Sequence, residues 1–351
     1  MVSAAPERTV LIHEFVTGGG LAGSALPASW AAEGGAMRRA LAAEFAALPG
    51  HRVIVTLDAR LPDEPGPWQL VRVGPGEESV TLERLATAAD YTLIIAPETE
   101  GILADRERAV RSAGACSLGS SPEAIALAGD KLRLSEHFLE HGIPTPPSRR
   151  ILPAEGWPDD VFYPCVIKPI DGAGSIDTYF VAGPQCIPAG VKSLPEALLQ
   201  PFVKGRPMSA SFLVGAQGHV HLLGIGQQHI DIHESRFFYR GGALPADPCP
   251  PSAVLERAVR SVSGLRGFVG VDFLWETLTG EIHVLEINPR PTTSVVGLCQ
   301  RLAPGRLAGA WLAAAEGRFE LYAQELAREV HAQKPWRFRA DGRNAEALPP
   351  G

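Results

Sequence analysis

Lysine is scarce in this chain: of 32 basic side chains only Lys131, Lys168, Lys192, Lys204 and Lys334 are lysines. Where arginine serves nearly every surface charge, a lysine inside a motif stands out as a compact point charge on a flexible stem. Basic residues as a class are also outnumbered, 32 against 39 acids for a formal net charge of −7. That argues against a general nucleic-acid surface, which needs a basic stripe, and leaves room for a small anion in a local positive pocket. The five cysteines are odd in number, widely spaced and free of C-x-x-C, so neither a disulfide framework nor a zinc knuckle is indicated. No uninterrupted apolar run approaches membrane-spanning length, and the first dozen residues carry Glu7 and Arg8 where a signal peptide has its apolar core. The expectation is a cytoplasmic protein with no membrane partner, a homodimer being left open. Length of 351 residues with 45% hydrophobic and 20% charged content gives two or three globular lobes.

What is present is most informative between Gly270 and Arg290. Gly270-Val271-Asp272-Phe273-Leu274-Trp275 and Val284-Leu285-Glu286-Ile287-Asn288-Pro289-Arg290 read as two strands around Thr277-Leu278-Thr279-Gly280. A three-residue loop, Leu278 to Gly280, pairs Thr277 with Glu281 and hence Asp272 with Glu286. Alternation along the strand then puts Asp272, Glu286 and Asn288 on one face. Two carboxylates and an amide oxygen suit Mg²⁺ or Mn²⁺, hard ions that favour oxygen ligands. An ordinary exposed acidic face is the competing reading. It is weakened by the apolar residues enclosing these acids, among which unpaired charge is costly.

Upstream, strands and helices alternate. Thr9 to Phe15, Arg52 to Leu57 and Asp90 to Ala96 read as buried strands, with helices about Trp30 to Leu48 and Leu103 to Ser112. This predicts an open parallel α/β lobe over residues 1–122, with ligands at the carboxyl ends of its strands. Two short helices follow, from Ser121 and from Asp130-Lys131, and Ile143-Pro144-Thr145-Pro146-Pro147 forces an extended linker. A strand-rich α+β domain is expected over 123–335, divided into a small lid (about 145–202) and a metal-binding lobe (about 203–335). Residues 336–351, rich in Ala, Pro and Gly, are expected to form a flexible tail.

Cys165-Val166-Ile167-Lys168-Pro169 is an apolar strand with one lysine, followed by Asp171-Gly172-Ala173-Gly174-Ser175. Such a loop lets backbone N–H groups close over phosphate oxygens beside a mobile charge. Strand, lysine, glycine loop and acidic hairpin, in that order, resemble the ATP-grasp superfamily of carboxylate–amine ligases over roughly residues 125 to 320, with a preceding lobe of the expected size. The resemblance implies ATP and Mg²⁺ as cofactors. It implies contacts to ATP from Lys131, Lys168, Asp171, Gly172, Gly174 and Ser175, and an adenine-holding backbone at Gln200-Pro201-Phe202-Val203. Asp272, Glu286 and Asn288 match the metal ligands and Arg290 the residue near the transferred phosphate. Many members bind ribose through a Glu about four residues past the adenine segment; here Pro207 stands near that position, so the resemblance leaves the ribose contact unassigned.

A narrower resemblance, to the tyramine–glutamate ligases of methanofuran-type cofactor biosynthesis, rests on several short motifs. These are His13-Glu14-Phe15 with Gly18-Gly19-Gly20, Ala96-Pro97-Glu98, Leu118-Gly119-Ser120, Gly205 to Ser209, Tyr239-Arg240-Gly241-Gly242 and Asn288 to Ser294. What it implies is an acyl phosphate formed from a carboxylate and ATP, converted by an amine to an amide, with ADP and phosphate released. Lys131 and Lys168 would balance the α and β phosphates and Arg290 the charge on the transferred group. Candidate substrate contacts are Glu14, Gly19 and Glu98 from the first lobe and Arg236, Tyr239 and Arg240 from a later loop. Arg236 or Arg240 would pair with a substrate carboxylate, and Phe237, Phe238 and Tyr239 suit a ring.

Two rivals use other residues. Gly18-x-Gly20-x-x-Gly23 after a strand, with Asp58 as the ribose acid, formally satisfies a dinucleotide fingerprint, but Pro27 interrupts the phosphate-facing helix and Asp58 lies too far on. His229-Ile230-Asp231-Ile232-His233 offers alternating metal-capable groups, or simply a sheet face or lid edge. A non-catalytic nucleotide-binding module is a further class, one that tolerates loss of a metal ligand, yet Asp272, Glu286 and Asn288 all remain.

Overall fold

The computed structural model describes residues 7–172, 177–318 and 323–345. Strand β1 (Arg8–Glu14) is apolar on both faces, as a central parallel strand must be: Val10 and Ile12 enter one core, Leu11 another. β2 (His51–Asp58) and β4 (Tyr91–Ile95) flank it in parallel, and β3 (Gln69–Val73) forms the edge beyond β2. Helix α1 (Ala28–Ala46) covers one face through Met37, Leu41 and Phe45. α2 (Glu78–Ala88) and α3 (Ile102–Ser112) cover the other through Leu82, Leu85, Leu103 and Val110. The expected open α/β lobe is therefore present. Sequence reading omitted β3 and α2, which sit beside a Pro/Gly-rich stretch and carry weak periodic signals of their own.

α4 (Pro122–Gly129) and α5 (Lys131–Glu140) lead to a second sheet that is antiparallel throughout. Its strands are β5 (Arg149–Ile151), β6 (Cys165–Lys168), β7 (Tyr179–Val181), β8 (Ala197–Pro201), β9 (Arg206–Val214), β10 (Val220–His233), β11 (Arg236–Leu244), β12 (Gly267–Trp275), β13 (Ile282–Asn288) and β14 (Trp336–Arg339). The order is β13-β12-β9-β10-β11-β7-β6-β8-β5, with β14 on β11. A small sheet portion, β7-β6-β8-β5, joins the larger one where β7 meets the start of β11, with Arg236 opposite Tyr179, and a cleft opens between the two.

Helices α6 (Ala253–Ser261), α7 (Ser294–Arg301), α8 (Arg306–Ala315) and α9 (Ala323–His331) complete the fold. Trp311 on α8 touches both Phe45 of α1 and Phe268 of β12, with ring centroids 6.1 and 5.9 Å away. The two sheets thus share one core, and α1 is wedged between its own sheet and α7 and α8.

Three expectations are corrected. Residues 236–244, read as a loop, form β11; the turn is Glu234-Ser235, both with positive φ (48° and 65°), a conformation not advertised by the usual Asn or Gly. The expected flexible tail begins with a strand: β14 pairs with Gly241 to Leu244 and buries Trp336 and Phe338 as a stacked pair, and residues 346–351 lie outside the described residues. The hairpin loop is one residue longer than expected, as set out next.

Candidate functional site

In the hairpin β12–β13 the pairs run Trp275–Ile282, Leu274–His283 and Phe273–Val284, and Glu276 N donates to Glu281 O at 2.9 Å. The loop is therefore Thr277 to Gly280, not Leu278 to Gly280. A register shift beyond Phe273 restores the balance, so Asp272 still faces Glu286. The bulge turns two consecutive residues, Leu285 and Glu286, to the same side. Val269, Val271 and Phe273 go into the core, while Asp272 and Leu274 line a cavity of about 430 Å³ in the cleft.

Asp272, Glu286 and Asn288 meet there. Asn288 Nδ2 donates to Asp272 Oδ2 at 3.3 Å and Gln228 Nε2 to Oδ1 at 3.0 Å. Burial pushes the Asp272 carboxyl well above the usual range, and Glu286 beside it adds to the shift. For Glu286 burial acts in the same sense but is outweighed by Lys131 and Lys168, which bring it below the ordinary value. Lys131 opens α5, whose N-terminus Asp130 caps by accepting from Leu132 N (3.1 Å) and Arg133 N (3.0 Å). Its Nζ donates to Gly172 O and lies 3.4 Å from Glu286. Lys168 ends β6, 9% exposed; burial, with Lys131 nearby, lowers it to about 8 against the pull of Glu286 and Asp272. Two lysines and two carboxylates so close, with few other partners, form a site built for a polyvalent ligand.

Gln200, Pro201, Phe202 and Val203 line the cavity, with Val166, Leu274 and Leu285 supplying apolar walls. Gln200 donates to Ser148 Oγ at 2.6 Å, and Phe202 N to Pro164 O at 2.9 Å. Pro207 also lines it. Arg290, which also lines it, meets Glu98 at 2.9 Å, Nε to Oε1, in a largely buried contact between the two lobes. Tyr239 and Phe237 project from β11 into the same space, as do Ile230 and Ile232 from β10.

Other expected residues lie elsewhere. Arg236 and Arg240 alternate with those rings onto the outer face of β11, paired at 2.9 Å with Asp177 and Asp231. His229, Asp231 and His233 share that alternation, and among the described residues no three His, Cys, Asp or Glu cluster suitably for a metal. Asp171 accepts from Glu100 N at 2.7 Å and faces the first lobe; Gly172 lines the cavity, while Gly174 and Ser175 lie outside the described residues. Glu14 is 2% exposed and accepts from Val16 N (3.0 Å) and Thr17 N (2.7 Å), holding the turn after β1. Gly19 has φ 106° and a Cβ there would strike Val73 at 2.3 Å, so it serves that turn. Asp58, cast in the rival reading as a ribose acid, is fully buried and held by Arg60.

Three residues that sequence reading missed join the site: Gln228, Thr293 and Glu33. Glu33 reaches the cavity from α1 and accepts from Thr293 Oγ1 at 2.5 Å. The usable signal was an acid beside a glycine pair inside a helix, since a Cβ on Gly34 would meet the Glu14 carboxyl at 2.5 Å.

A parallel α/β lobe, an antiparallel cleft and lysines opposing an acidic hairpin define the ATP-grasp class. A pre-ATP-grasp domain model matches residues 51–125 and an ATP-grasp domain model residues 128–294, together more than half of the chain. The chain belongs to the ATP-grasp superfamily. Among its relatives, the tyramine–L-glutamate ligase of Methanocaldococcus jannaschii is 31% identical over 212 residues, 60% of this chain and 58% of that protein. A D-alanine–D-alanine ligase of Geobacter sulfurreducens is 27% identical over 202 residues, 53% of this chain and 62% of the relative. The chain thus spans less than two thirds of the length of either. The crystal structure of an ATP-grasp superfamily protein from Archaeoglobus fulgidus shares the fold, with a TM-score of 0.65 at 24% identity, covering 88% of this chain and 89% of that one.

Proposed function

We propose that this protein is an ATP-dependent ligase that joins a carboxylate to an amine through an acyl phosphate, releasing ADP and phosphate. The observation that carries the reading is the convergence, in one cavity, of Lys131, Lys168 and Arg290 on Asp272, Glu286 and Asn288. Glutamate as acid and a tyramine-like aromatic amine as nucleophile are the substrates suggested by the relative's name and by the Phe237 and Tyr239 rings in the cavity.

The donor set fits Mg²⁺: Asp272, Glu286 and Asn288 bring two carboxylates and an amide oxygen into one cavity, and a hard cation favours oxygen ligands. When bound there by Asp272, Glu286 and Asn288, the metal would supply charge neutralisation on phosphate oxygens. This chain's residues do the rest. Backbone groups of 200–203 present donors and acceptors to a flat base between Val166, Leu274 and Leu285. Lys131 and Lys168 lie against the phosphates, and Arg290 carries charge to the transferred group. A substrate carboxylate oxygen attacks the γ-phosphorus and ADP leaves; the amine then attacks the acyl carbon and phosphate leaves with that oxygen. Enclosure in the cleft keeps water from the acyl phosphate.

A matrix of acids against amines with Mg-ATP, scored for ADP release, tests this. ADP appearing only when a carboxylic acid and an amine are both present is the expected result; ADP release indifferent to both would overturn it.

A further inference from the structure

The scheme above leaves one carboxylate in the cavity without a task. Glu33 comes from the first lobe, on α1, and among the described residues its carboxylate accepts one hydrogen bond, from Thr293 Oγ1. Unlike Glu286, which lies against Lys131, it forms no ion pair among the described residues, and Arg290, the cation that acts on it, is engaged with Glu98. Tyr239 lines the same cavity, and burial pushes its phenol up, with Glu33 and Asp272 adding to the shift. A carboxylate enclosed in a ligand cavity without a counter-ion is costly unless a cationic ligand group completes it.

We propose that Glu33 binds a primary ammonium group of a substrate in the cavity that Arg290 and Tyr239 also line. Resting on the ligase reading, it deepens that reading by giving one substrate charge a partner. Burial raises the Glu33 carboxyl and Glu14 adds to this, while Thr293 and Arg290 only partly oppose it. The chemistry has two sources: the ammonium of the amine nucleophile, or the α-ammonium of an amino-acid substrate. Both place a cation where Glu33 waits; they differ in which substrate loses affinity when it is changed.

The test is calorimetric titration of the full chain with Mg-ADP present, using tyramine against its alcohol analogue tyrosol, and L-glutamate against glutarate. One ammonium ligand should bind at least about tenfold more tightly than its uncharged or des-amino counterpart, as a charge-assisted contact provides. Glu33→Gln should abolish that preference, Glu33→Asp should keep part of it, and ADP affinity should stay within about threefold. A preference in the tyramine pair assigns the nucleophile, one in the glutamate pair the acid. Equal affinities within both pairs, no binding by either ammonium, or a preference that survives Glu33→Gln overturns the proposal. Should Glu33→Gln fail to fold, the wild-type pairs decide alone. ADP release that needs acid and amine while both pairs bind equally would sink this inference and leave the ligase reading standing; absence of such release sinks the ligase reading itself.

Discussion

Removing Glu98 should loosen the two lobes and disarm Arg290 together. The pair is 2.9 Å apart with side chains only 8% and 13% exposed, and it meets as opposed charges without an aligned hydrogen bond from Nε. Stripping the partner from a fully buried pair costs about 3–5 kcal/mol. Here Glu33 and Glu286 still act on Arg290, so about 1–3 kcal/mol is the reasoned figure for Glu98→Gln. A double-mutant cycle with Arg290→Met, read by urea unfolding, should give a coupling of about 1–2 kcal/mol. In parallel, kcat of Glu98→Gln should fall about tenfold or more while the KM for ATP stays within about threefold, since a misplaced guanidinium affects the transferred group and not nucleotide binding. A coupling below about 0.5 kcal/mol with unchanged kcat would refute the reasoning, reducing the contact to an idle ion pair.

Lys168→Met removes a buried charge from the cavity and should weaken nucleotide binding about 10- to 100-fold by fluorescence titration; unchanged affinity would make Lys168 a strand terminus and no more. Arg240→Ala, on the outer face with Asp231, should alter each substrate KM by less than about twofold, and a large rise for the acid would restore it to the site. Burial raises Glu78 but His13 and Arg106 outweigh it, bringing it to about 2 from 4.5. Because the folded value is depressed, its stabilisation is present above about pH 4.5 and is lost as pH falls towards about 2. Glu78→Gln should therefore be less stable than wild type by up to about 3 kcal/mol at neutral pH, with the gap closing across that window in urea titrations at stepped pH. A gap constant with pH would contradict it.

The parallel lobe was legible because β1, β2 and β4 carry apolar residues on both faces. Asp272, Glu286 and Asn288 were legible through period-two alternation, although the route to their pairing was not. A longer loop and a bulge cancel each other, and neither leaves a mark in the hydrophobic pattern. Arg236 and Arg240 illustrate the opposite failure. Their density suggested a substrate clamp, but once 236–244 is a strand, alternation sends the arginines out and Phe237 and Tyr239 in. Glu33 depended on α1 being wedged against α7, a tertiary fact with only the Gly34-Gly35 pair to hint at it. Glu14 and Gly19, singled out by motif, hold the turn after β1 instead.

The most direct measurement of the central claim follows an oxygen atom. L-Glutamate labelled with oxygen-18 in its carboxylates is incubated with tyramine, Mg-ATP and the protein, and the released phosphate is analysed by mass spectrometry. Attack by the carboxylate on the γ-phosphorus, followed by amine displacement, carries one labelled oxygen into each phosphate. Label appearing in phosphate alongside unlabelled ADP is the predicted result. Amide formation with unlabelled phosphate, or with label in AMP, would contradict it.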